Sequence, residues 1–285
     1  MTAIARASRR AKQPFRAIGD VLEDIGKQLV FYAEIFYEIV TKLIFRLKYR
    51  NVVFSLVSDI TIGAGAMIVG GGMIFVIFSM SFFTGTEVGL QGFKGLEQIG
   101  AEAFTGLIGS FANTREVTPL IAGVAFAAQV GAGFTAELGA MRISEEIDAL
   151  EVMSVPSKAY LVATRVLAAL IAIIPLYLIS LFASFYATKL VSTQFFGLSD
   201  GVYDYYFRLY LPPIDILYSL IKAAVFAVVV ALIHCYYGYH ATGGPAGVGV
   251  AVGRAIRLSI VSVVVLNLIL SLIFWGGGNT VSLTG

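Results

Sequence analysis

The stretch VLAALIAIIPLYLISLFASFYAT, residues 166–188, holds twenty-three residues and no charge. About 20 mainly apolar residues in a helix cover the ~30 Å hydrocarbon core of a bilayer at ~1.5 Å per residue. The run therefore reads as a membrane span, interrupted only by Pro175. Four more apolar runs of comparable length lie on either side of it, and together they set spans at about 57–84, 106–136, 164–188, 213–235 and 256–275. Pro212 and Pro213 open the fourth, where proline suits a helix start. Composition agrees: 58% of the 285 residues are hydrophobic, 13% are charged and mean hydropathy is +0.85. A soluble domain carries about a quarter charged residues. The expected fold is an all-α polytopic membrane protein with five transmembrane helices, residues 51–275 forming its membrane domain.

The first nineteen residues carry Arg6, Arg9, Arg10, Lys12 and Arg16 and no acid. No compact apolar segment with a small-residue cleavage site follows, so residues 1–19 read as a basic cytoplasmic tail beside anionic headgroups. Over 20–50, apolar residues recur at helical spacing (Leu22, Ile25, Leu29, Ala33, Phe36, Val40, Leu43, Leu47) among interleaved charges. That density of charge excludes a span and predicts an N-terminal amphipathic helix lying in the interface; a helix packed on a soluble partner is the alternative.

Five spans put the termini on opposite sides. With the N-terminus inside, residues 1–50, 137–165 and 236–257 face the cytoplasm and hold fifteen of the twenty basic residues. The excess orients the chain, with residues 276–285 as an extracytoplasmic tail. Net charge is only +2, and no nucleic-acid partner is expected.

Few residues invite chemistry. Arg115 and Glu116 are adjacent charges in an otherwise apolar helix, and Lys222 lies in mid-span. Ionisable groups at that depth are costly and face a cavity or a partner. Either they face a cavity or a partner within the bundle, or they sit at the outer interface and snorkel. Lys222 calls for a carboxylate that the sequence does not identify. Gly70, Gly71 and Gly72 disfavour a straight helix by up to ~1 kcal/mol each; they mark a kink beside a cavity or a tightly packed seam. Gly249 and Gly253 form a GxxxG in an expected loop. Residues 144–153 read as a short helix, with Ser144 as N-cap and Glu145 and Glu146 in its first turn. One face carries Ile143, Ile147, Leu150 and Met153, the other Glu145, Asp148 and Glu151. A docking surface for a cytoplasmic protein and a solvated turn both fit.

Enzyme-like features are weak. Gly197, Ser199 and Gly201 match G-x-S-x-G, but that motif needs a histidine, and His234 and His240 fall near the opposite face. His234, Cys235 and His240 lack carboxylate support as a metal set, so no metal site is expected. The lone Cys235 excludes an internal disulfide. No G-x-x-x-x-G-K-[ST] occurs, so the chain lacks its own phosphate-cradling loop.

Several segments carry a resemblance. They are Thr114-Arg-Glu-Val-Thr-Pro119, Gln129-Val-Gly-Ala132, Ala136-Glu-Leu-Gly-Ala-Met-Arg142, Ser144-Glu-Glu-Ile-Asp-Ala-Leu-Glu-Val-Met153, Ala231-Leu-Ile-His-Cys-Tyr-Tyr-Gly238 and Gly243-Gly-Pro-Ala-Gly-Val-Gly249. In this order they resemble the MlaE/YrbE permeases, membrane subunits of Mce-type ABC lipid transporters, over about Asp20 to Trp275. Val117-Thr118 stands where that family often has Leu-Gly, and Gln129 where it often has Arg. With the basic N-terminus, these departures look more like an actinobacterial YrbE half, B-type, than a homodimeric MlaE. The resemblance implies a permease in the bacterial inner membrane, paired with a second YrbE half or with itself. A cytoplasmic ABC ATPase dimer holding ATP and Mg would sit below it and Mce proteins outside. Ser144, Glu145, Glu146, Ile147, Asp148, Leu150 and Glu151 would form the coupling helix, and Arg115, Glu116, Gly70, Gly71, Gly72 and Lys222 would flank the lipid path. The expected function is movement of a fatty acid- or sterol-class lipid between the Mce assembly and the membrane. The rivals are a membrane lipid-modifying enzyme and a non-transporting scaffold.

Overall fold

The computed structural model describes residue 23 and residues 25–44, 49–63 and 72–276. The basic tail 1–19, Gly70, Gly71 and the tail 277–285 lie outside the described residues. Every regular element among those described is helical: α1 (25–44), α2 (Arg50–Thr61), α3 (Gly72–Glu97), α4 (Glu102–Ile143), α5 (Glu146–Val152), α6 (Lys158–Phe195), α7 (Asp200–Leu209), α8 (Pro213–Tyr239) and α9 (Gly244–Trp275). Five of them, α3, α4, α6, α8 and α9, are long and apolar enough to cross a membrane. The all-α, five-span expectation therefore holds.

Two boundaries differ from the sequence expectation. The first span was expected over 57–84, yet α2 stops at Thr61 and the crossing helix begins at Gly72. The stop is local. Gly63 takes φ 63°, a left-handed conformation cheap only for glycine, and its N–H reaches back to Ser58 O at 3.2 Å. The second difference concerns 236–257, expected as a cytoplasmic loop. Only 240–243 separate α8 from α9, so Gly249 and Gly253 sit in the first turns of the last helix. The glycines and small residues around Pro245 do not break that helix, because proline is tolerated in the first turn, where its missing N–H has no intrahelical partner.

Helices α4 and α6 hold the centre of the bundle, and α9 lies at the rim with Val261, Val264, Leu268 and Leu272 exposed. The seam between α3 and α6 is built on small residues. Ser81, Gly85 and Gly89 recur every fourth residue and are all buried on one face of α3. Ser81 and Ser180 hydroxyls meet at 2.5 Å, and Thr188 donates to the Gly85 carbonyl at 2.8 Å. A methyl at Gly85 would come within 2.8 Å of Ser184 Cα, so the two backbones touch only because Cβ is missing. Between spans the hydrophobic effect gives no drive, and close packing with interhelical hydrogen bonds replaces it.

Helix α1 is fastened to one end of the bundle. Lys158 Nζ pairs with Glu34 at 2.5 Å, and the Phe31 ring packs edge-on against Tyr236 at 5.4 Å. Leu29, Val30, Phe36 and Tyr37 stay exposed, the apolar surface an interfacial helix turns to lipid. At the other end, α7 caps the start of α4 through buried Tyr203 and a Phe104–Tyr206 contact at 4.6 Å.

Candidate functional site

Helix α4 is not a uniform α-helix. It carries π turns at Asn113–Val117 and Ala127–Gly131, insertions that recur at functional sites because they re-aim side chains. The first turn bears Arg115 and Glu116 and sends them to different partners. Arg115 Nη2 lies 2.8 Å from Asp215 Oδ2 and Nε donates to the same oxygen at 2.9 Å. Trp275 Nε1 donates to Asp215 Oδ1 at 2.8 Å. The guanidinium also stacks 3.8 Å above the Phe111 ring. Arg115 is only 11% exposed and Asp215 5%, so this is a buried pair that ties α4 to the ends of α8 and α9.

Glu116 goes the other way. Asn267 Nδ2 donates to Glu116 Oε2 at 2.6 Å, and the Ser271 hydroxyl donates to Oε1. Lys222, wholly buried, donates to the Arg115 carbonyl at 2.5 Å and to Ser271 Oγ at 2.8 Å, with Glu116 3.7 Å away. Glu116 is thus the carboxylate that Lys222 required. Its side chain is 48% exposed, and Asn267 Oδ1 beside it has no hydrogen-bond partner. The two sequence alternatives divide between adjacent residues: Arg115 is consumed in a structural pair, while Glu116 presents charge at the bundle surface.

Gly72 lies elsewhere, at the start of α3, where a Cβ would meet the Ile62 carbonyl oxygen at 2.8 Å. It lines a pocket of about 340 Å³ together with Asp59, Gln129 and Glu137. The glycine and the charged cluster are therefore separate features. Asp215 and Asn267 were missed by sequence reasoning. Asp215 stands two residues after Pro213 and reads as a first-turn acid, and nothing in one sequence pairs it with a residue a hundred positions away.

The short helix α5 differs from its expectation in three respects. Ser144 does not cap it; the Ser144 hydroxyl donates to Ala140 O and closes α4, and Glu145 takes the N-cap position at φ 61°. Ile147 is fully buried in this chain's own core and Leu150 packs against that core, so neither is free to anchor a partner. The exposed large apolar residues over 143–153 are Ile143 at 38%, Val152 at 86% and Met153 at 64%. Glu145, Glu146 and Asp148 face outward. Glu151 faces partly inward, accepting from Ser157 at 2.7 Å and Tyr239 at 3.2 Å, and Arg142 holds Asp148 at 2.7 Å. The result is a projection with acids outside, an apolar tip, and a root hydrogen-bonded to Ser157 before α6 and to Tyr239 at the end of α8.

His234 is used up in packing, with Thr135 Oγ1 at 2.8 Å from Nδ1 and Ser259 Oγ at 3.2 Å from Nε2. Ser199 immediately precedes α7, whereas His240 follows α8, some ~40 Å along that helix. The G-x-S-x-G segment therefore has no histidine within reach.

Five spans with ionisable groups buried between them, rather than spread on a soluble surface, define an integral membrane protein of the helical-bundle class. The chain belongs to the MlaE permease family, whose model, Permease MlaE, matches residues 62–273. It is 34% identical over 70% of its length to a probable ABC transporter permease protein of Rickettsia bellii, covering 77% of that protein. It is 30% identical over 69% of its length to TRIGALACTOSYLDIACYLGLYCEROL 1 of Arabidopsis thaliana, covering 56% of it. The intermembrane phospholipid transport system permease protein MlaE of Haemophilus influenzae is 28% identical over 74% of the chain, and the match covers 81% of that protein. The chain is accordingly a permease subunit of the ABC transporter type.

Proposed function

We propose that this permease moves lipid between the inner membrane and an extracytoplasmic Mce assembly, driven by an ATPase dimer docked on α5. The observation that carries the reading is the construction of α5. Its outward acids and apolar tip suit a groove in a partner, and its buried root passes any movement directly to α6 and α8. The half-exposed Glu116, with Asn267 and Lys222 beside it, would lie along the lipid's route and hold its polar head. Fatty acids and sterols, each with one small polar end, fit a route that offers a single polar cluster. ATP and Mg would be bound by the partner, and the second permease subunit would be a YrbE half or another copy. The basic N-terminal segment and Gln129 favour the YrbE pairing.

The test is charge reversal on α5. Glu145→Lys with Asp148→Lys should weaken ATPase association or uncouple hydrolysis from lipid uptake in reconstituted vesicles. The spans should still insert, since these residues sit on an exposed projection. Unchanged association, hydrolysis and uptake would rule out α5 as the coupling element.

A further inference from the structure

The turn between α8 and α9 closes a second polar pocket, away from the Glu116 cluster and unused by the reading above. It has a volume of about 390 Å³ and runs between the end of α8 and the first turns of α9, with α1 along its side. Gln28, Tyr236, Tyr237, His240, Thr242 and Arg254 line it. Arg254 is exposed, and among the described residues it makes no hydrogen bond or ion pair. Tyr32 donates to Gln28 Oε1 at 3.3 Å, which leaves the Gln28 amide N–H groups as donors. The Thr242 hydroxyl and the Arg254 guanidinium bring further donors to the same walls. Among the described residues, no carboxylate lines the pocket.

Depth says what it faces. Counting back about 20 residues from Trp275 reaches Ala255, and counting forward about 20 from Pro213 reaches Ile233. Arg254, Tyr236, Tyr237 and His240 therefore fall at one headgroup level, where tyrosines concentrate and arginines reach phosphates. We infer that this pocket is a binding site for the phosphate of an anionic phospholipid, held by Arg254, Gln28 and Thr242, with the acyl chains along the exposed α9 face. Val261, Val265 and Leu268, all exposed on α9, lead from the level of the pocket towards mid-membrane. The headgroup level favours a lipid phosphate over a free one. The site adjoins the root of α5, because Tyr239, next to His240, is the residue that holds Glu151.

The experiment is native mass spectrometry of the purified full chain loaded with equal phosphatidylglycerol and phosphatidylcholine. The wild type should retain phosphatidylglycerol preferentially. Arg254→Gln should lower that retention about tenfold, the loss of one charge-assisted contact. Thr242→Val should lower it less, and Arg257→Gln, exposed on the same helix outside the pocket, should leave it unchanged. Three results would overturn the site. One is equal retention by the wild type and Arg254→Gln. Another is an equal loss in Arg257→Gln, which would mark general surface charge. The last is displacement of the phospholipid by millimolar inorganic phosphate, which would mark a free-anion site.

Discussion

Replacing Asp215 by alanine tests the buried half of the cluster. Arg115 would lose both contacts to Asp215 Oδ2, at 2.8 and 2.9 Å, and Trp275 its 2.8 Å acceptor. Among the described residues no other carboxylate pairs with Arg115, and its guanidinium would remain 3.8 Å from Phe111 with its charge uncompensated. Leaving one partner of a buried pair unmatched costs about 3–5 kcal/mol, a shift of roughly two to four decades in the folded population. The chain's only tryptophan is the reporter, since Trp275 sits on the pair itself. Unfolding in mixed micelles followed by its emission should show the full loss in Asp215→Ala. Asp215→Asn keeps an acceptor for Trp275 and should lose less. The double variant Arg115→Met with Asp215→Leu should return to within ~1 kcal/mol of wild type, because it removes both charges together. A loss below ~1 kcal/mol in Asp215→Ala, or equal losses in the single and double variants, would refute the buried-pair account.

Glu116→Ala should lower lipid uptake several-fold while the subunit still assembles, because buried Lys222 keeps its hydrogen bonds to the Arg115 carbonyl and Ser271 Oγ, and Glu116 lies 3.7 Å from it; loss of the complex in a pull-down would make Glu116 structural instead. Orientation is read by labelling. A cysteine at Ser199 should react with an impermeant reagent from outside the cell, and one at Ser154 only after permeabilisation. The opposite pattern would invert the topology expected from the basic residues.

Much was legible because hydrocarbon imposes a one-dimensional rule. A span needs only length and apolarity, so residues 166–188 announced α6 without reference to any neighbour. The amphipathic α1 and the acidic α5 followed from local periodicity in the same way. The resemblance, too, was carried by contiguous motifs. What one dimension hides is pairing. Arg115, Glu116 and Lys222 were recognisable as costly, yet the choice of Asp215 for Arg115 and of Asn267, Ser271 and Lys222 for Glu116 depends on helix rotation. A π turn at Asn113–Val117 sets that rotation, and no residue pattern announced it. Ile147 is the same lesson in miniature: on a helical wheel it belongs to an apolar stripe free for a partner, and in the bundle it is fully buried. Apolarity and charge are properties of a residue and are read directly. Burial and ion pairing are relations between residues far apart in the chain, and only the packed helices decide them.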